Sequence, residues 1–172
     1  KTRRNLESDT IHKYVEKFSI QHIPVDSDDV PPNSFFNDLQ ELQKKVEGLT
    51  DINGFNYRTY TDSLRENIRI HGFRYLNSIY CSNDQKEISY AIEKGVQKIN
   101  DEKLSRTLNQ WKMINDNREN EIIKNIYNYS EENQYTKAVF LIGSGHINSI
   151  MPKIRDYKTK ETLIINWISY KK

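Results

Sequence analysis

Residues 138–146 read Ala-Val-Phe-Leu-Ile-Gly-Ser-Gly-His, and this stretch limits the fold more than any other. A short apolar run that stops at a glycine and hands one histidine to the next loop is how parallel α/β sheets build sites. The run predicts a strand over Val139–Ile142. Ser149–Tyr157 then has the spacing of a short helix, and Leu163–Ser169 reads as a second strand. Strand, helix, strand within about thirty residues is a βαβ unit, and the right-handed crossover rule makes its strands parallel.

Upstream the pattern is mostly helical. Ile11–Phe18 has the spacing of a short amphipathic helix. Ile20–Val25 reads as a strand ending in Asp26, with Pro24 favouring an edge or a strand end. Asp28, Asp29, Pro31 and Pro32 mark a loop. Ser34 is placed to cap a helix over Phe35–Val46, stopped by Gly48. Asp51–Asn56 reads as a turn-rich link, and Asp62 as the cap of the next helix, weakened at Gly72. Asn83 or Asp84 starts another, and Asp101 caps a long one running to about Ser130.

The predicted class is therefore helix-rich α/β. It has a parallel-type sheet, a βαβ core over 136–170, and a helical block or lid over 33–133. Residues 1–172 form a single domain or the C-terminal fragment of a larger α/β domain that lacks N-terminal strands. A first residue that is Lys, not Met, fits a processed or partial chain. The 172-residue length suits one core.

Net charge is +2, with acids and bases mixed, which argues against a dedicated nucleic-acid binder. One cysteine, Cys81, rules out an intramolecular disulfide and reads as a structural thiol; a cytoplasmic or periplasmic location fits it. No stretch is apolar and long enough to span a membrane.

The last long helix carries Trp111, Ile114, Ile122, Ile126 and Tyr129 on one apolar stripe, and Arg118 falls on that stripe. A guanidinium aimed at a core needs an anion to meet it. Either Arg118 snorkels to the helix edge or it enters a polar pocket. Glu121, at i+3, is a candidate partner, and Glu119 lies off the stripe.

Gly143 and Gly145 permit a sharp turn, and the helix after them offers free N–H groups to an anion. His146 is a candidate metal ligand or general acid/base, with Ser144 beside it. His12, His22 and His71 are not paired at helical spacing. Asp26, if its strand runs parallel to the one before His146, shares the same sheet edge. There is no Gly-x-Ser-x-Gly elbow and no phosphate-binding Gly-Lys-Ser/Thr loop.

Arg118 to Ile126 (Arg-Glu-Asn-Glu-Ile-Ile-Lys-Asn-Ile), then Lys137 to His146, resembles the TraB/Tiki/erythromycin-esterase-like superfamily. Its members carry Arg-acid-x-x-Met-x-x-x-Ile on a helix, then an apolar strand and Gly-x-x-His. Arg118, Glu119 and His146 match, Ile122 stands where Met is common, and the match covers about residues 111–157. The family's first Gly-x-x-His is absent.

The resemblance implies an α/β core and a hydrolase-like site for a small-molecule or peptide substrate, possible metal-dependence included. His146 would then be a divalent-metal ligand, with Asp26, or a general base. Arg118 would hold a carboxylate or developing charge, Glu119 or Glu121 would orient it or His146, and Gly143, Ser144 and Gly145 would form the loop. The same fold would also suit a non-catalytic small-ligand or haem-binding module. A third reading is a helical protein–protein adaptor.

Overall fold

The computed structural model describes residues 6–158 and 163–168, and among them it is helical. The helices are α1 (Leu6–Phe18), α2 (Asn33–Glu47), α3 (Ile52–Leu76), α4 (Ile79–Ile99), α5 (Glu102–Glu132) and α6 (Ile147–Lys158). A 3-10 turn, Ser144–His146, leads into α6.

The expected α/β class and its parallel sheet are corrected: no described residue lies in a strand, so 136–170 is not a βαβ unit. The three segments read as strands still alternate. Val25, Phe140, Ile142, Leu163, Ile165 and Trp167 pack against the core. Val139, Leu141, Ile164 and Ile168 are exposed. Alternation reports which face of an extended chain is buried. A strand also needs a backbone partner about 4.8 Å away. Here the extended segments lean on helices, which offer side chains and not a free ladder edge. Ser169, the expected end of the last strand, lies outside the described residues.

Helix starts follow side-chain capping more than the apolar pattern. The Asp51 carboxylate accepts the Asn53 and Gly54 N–H groups and begins α3 eleven residues before the expected cap, Asp62. The Ser78 hydroxyl accepts from the Cys81 N–H and begins α4, ahead of Asn83 and Asp84. Pro32, not Ser34, precedes α2. Asp101 caps α5 as expected, 2.8 and 3.2 Å from the Lys103 and Leu104 nitrogens. Gly72 does more than weaken α3. At φ 52°, ψ −132° it kinks the helix in a conformation that L side chains rarely adopt, although there is room for a Cβ.

Two apolar clusters hold the chain. Leu42, Val46, Tyr57, Ala91, Val96 and Leu104 join α2, α3, α4 and the start of α5. Ile122, Ile123, Tyr127, Ile150 and Ile154 join the end of α5 to α6. α5 has 31 residues and is about 46 Å long, so it belongs to both.

α4 meets α2 closely at Gly95. A Cβ there would stand 2.7 and 2.9 Å from the methyls of Val46, which is fully buried. Alanine gains about 1 kcal/mol of helix propensity, but overpacking costs about 1–3 kcal/mol. Gly95→Ala is therefore expected to lose about 1 kcal/mol net, read as a lower urea midpoint at unchanged slope. An unchanged or higher midpoint would mean that α2 can move away from α4.

Candidate functional site

The buried charge on α5 is Glu119, not Arg118. A residue that looked solvated is 1% exposed, whereas Arg118 is part-exposed at the helix edge. The apolar stripe is turned by about one residue from the expected one, with Ile122, Ile123 and Tyr127 its most buried members. One residue is about 100° of helix, enough to exchange the roles of neighbours.

α6 and the 3-10 turn before it supply the groups that make burial of Glu119 tolerable. His146, Ser149 and Lys153 are spaced by three and four residues and share one face. His146 Nδ1 lies 2.7 Å from Glu119 Oε1, and the Ser149 hydroxyl donates to the same oxygen at 2.6 Å. Lys153 Nζ donates to Oε2 at 2.8 Å and also meets Asp116 Oδ1 at 2.8 Å. Burial opposes the charged form of Glu119, but the bonds from Lys153, Ser149 and His146 outweigh it and hold the carboxyl below its ordinary value. An ionised carboxylate only accepts hydrogen bonds, so Nδ1 carries a proton, and in the neutral ring Nε2 is the acceptor. The sequence reading missed Ser149, Lys153 and Asp116. The signal for the first two was present as His146-x-x-Ser149-x-x-x-Lys153.

Arg118 closes a two-pronged ion pair with Asp26. Its Nε donates to Oδ1 at 2.7 Å, and its second nitrogen donates to Oδ2. The Arg118 bond holds the Asp26 carboxyl below its ordinary value; the Ser27 N–H and the nearby His146 add to this against partial burial. Asn125 Nδ2 donates to the Val25 carbonyl at 3.1 Å and fixes the segment that carries Asp26. Asp26 and His146 therefore do come to one region, though no sheet edge brings them there. Glu121 is exposed on α5 and takes no part in these contacts.

The Gly143-Ser144-Gly145 loop differs from expectation. Gly143 has φ −58°, ψ 138°, and neither it nor Gly145 has positive φ. A Cβ at either position would meet only ordinary contacts, 3.8 Å from His146 Cδ2 and from Gln85 Oε1. The turn is closed by the His146 N–H donating to the Gly143 carbonyl at 3.0 Å. The start of α4 holds this loop. Cys81 is fully buried there, and burial raises the pKa of its thiol. Asn148 Nδ2 donates to the Ser82 carbonyl at 2.8 Å, and the Ser82 hydroxyl donates back to Asn148.

As for a metal, His146 and Asp26 do not come with a third ligand. No group of three His, Cys, Asp or Glu side chains able to hold a cation occurs among the described residues. No described helix is long and apolar enough to cross a membrane.

No family model, curated protein or solved structure matches this chain.

Proposed function

We propose that the chain contributes a hydrolase-like site in which His146 is the general base and Glu119 its orienting carboxylate. The observation that carries this is the 2.7 Å contact between His146 Nδ1 and a Glu119 that is almost fully buried. A carboxylate held rigid behind an imidazole fixes its tautomer and stabilises the imidazolium that forms when Nε2 takes a proton. The Ser149 hydroxyl is committed to Glu119 and not to the ring, so the base would act on water, not on a serine nucleophile. Arg118, oriented by Asp26, is the nearby cation for a carboxylate or developing oxyanion. Arg118, Glu119 and His146 are also the positions that resemble the TraB/Tiki/erythromycin-esterase-like pattern; membership of that superfamily is proposed on these motif residues and not on the fold, since the α/β core it implies is absent among the described residues.

The test is hydrolysis of p-nitrophenyl acetate and of a pooled peptide library by the wild type and by His146→Gln. The expected result is a loss of about 10²–10⁴-fold in turnover with an unchanged helical circular dichroism spectrum. Turnover retained by the folded variant would overturn the reading. An inactive wild type would favour the adaptor reading, which the helical fold also suits.

A further inference from the structure

Lys153 is held on every donor it has. An ammonium carries three N–H groups, and those of Lys153 go to Glu119 Oε2 at 2.8 Å, to Asp116 Oδ1 at 2.8 Å and to the Asp116 carbonyl at 2.9 Å. The two carboxylates it meets are not equal. The Asp116 side chain is 59% exposed, so water screens its charge, whereas that of Glu119 is 2% exposed and shut off from solvent. The Lys153 cation therefore acts mainly on Glu119.

An anion buried this far needs a counter-charge. Of the three side chains bonded to the Glu119 carboxylate, Lys153 and His146 can carry one and the Ser149 hydroxyl cannot. The other charged groups on the elements around His146 have partners of their own. Asp26, on the segment before α2, faces the ring and is paired with Arg118 of α5. On α4, the Cys81 thiol is buried with its pKa raised, and Asp84 accepts from the Tyr75 hydroxyl.

We infer that Lys153 is a positioning residue for His146: as the counter-ion of Glu119 it spares the imidazole that duty and leaves the ring free to take a proton from water. The inference rests on the proposed role of His146 as a base, but the charge balance behind it does not. Without the Lys153 cation the duty passes to His146, the remaining group on the carboxylate that can bind a proton, and an imidazolium would then face Glu119. Loss of the Asp116 charge acts the other way, because Lys153 then belongs to Glu119 undivided. Lys153 touches no substrate in this scheme; it acts through Glu119.

The test follows the His146 ring by NMR across neutral pH in the full-length wild type, Lys153→Met and Asp116→Asn. His146→Gln identifies its signal among the four histidines. Methionine keeps the reach of Lys153 without its charge, and asparagine keeps an acceptor at Asp116 without its charge. At a given pH, Lys153→Met is expected to raise the ratio of protonated to neutral ring about tenfold, and Asp116→Asn to lower it about twofold. A merely structural role would loosen the site in both variants and move both the same way. If the wild type hydrolyses p-nitrophenyl acetate, the acid limb of its turnover should rise by about one pH unit in Lys153→Met, with KM little changed. An unchanged ratio in Lys153→Met, or shifts of one sign in both variants, would overturn the inference. Should Lys153→Met fail to fold by circular dichroism, Asp116→Asn decides: a lower ratio supports the inference, and an equal or higher one overturns it. The expected ring shifts in a protein that hydrolyses nothing would overturn the proposed function alone and leave Lys153 as the counter-ion that keeps His146 free.

Discussion

Replacing Glu119 with Ala is expected to destabilise the protein by roughly 3 kcal/mol, read as a large fall in the urea midpoint at pH 7. The side chain is buried, and three donors converge on it from α6 and the 3-10 turn before it. Removing it leaves Lys153 as a mostly buried cation, although Asp116 still meets that amine at 2.8 Å and limits the loss. It also leaves the Ser149 hydroxyl with only the His146 carbonyl, at 3.1 Å. Acid provides an independent check. The carboxyl's folded pKa lies below its ordinary 4.5. Its contribution is therefore complete above about pH 5, and is lost as pH falls through the lowered folded value. The gap between wild type and Glu119→Ala should narrow over that acid range. A gap that is constant from pH 7 to pH 3 would show that the loss is one of packing and not of charge.

Leu104→Ala is expected to cost about 2–5 kcal/mol. Leu104 is fully buried in the first turn of α5, among Leu42, Val46, Tyr57, Ala91 and Val96. Truncation removes methyl groups from a site walled by several helices, which cannot all close on the cavity. Met113→Ala, on the same helix but largely exposed, should stay within about 0.5 kcal/mol of wild type. Equal midpoints for the two variants would mean that the α2–α5 bundle is loosely packed. Differential scanning calorimetry of the pair would settle the size of the difference.

Most helices were legible in the sequence because a 3.6-residue apolar period survives even in a chain this polar; α3 is the exception, since its first turn, Ile52–Asn56, read as a link, and Phe73 near its end is exposed. Their starts were legible only in part. Asp51 and Asp62 are both plausible caps by type, and Asn83 and Asp84 are no less so than Ser78. Only the folded chain shows which side chain meets a free N–H. The sheet was misread because alternation in 139–142 and 163–168 reports burial on one side, and carries no information about a hydrogen-bonded neighbour. His146 was legible as the residue that the apolar run presents. Its partner was not, because an apolar stripe drawn one residue out of phase puts Arg118 inside and Glu119 outside. Asp26 was picked for a shared sheet edge, and it arrives near His146 by pairing with Arg118 instead. Ser149 and Lys153 were missed because a hydroxyl and an amine at helical spacing look like any solvated face until a buried carboxylate is known to lie opposite.

α5 sets the phase between the two halves of the molecule. Leu104 and Leu108 belong to one cluster, and Ile122 and Ile123 to the other. The turns between them form one continuous helix. Each residue added or removed between Leu108 and Glu119 would rotate one half by about 100° against the other and shift it by about 1.5 Å. The interval behaves as a gear of fixed tooth count. Its surface side chains can change, but its length is tied to the angle at which the Glu119–His146 unit sits on the α2–α4 bundle.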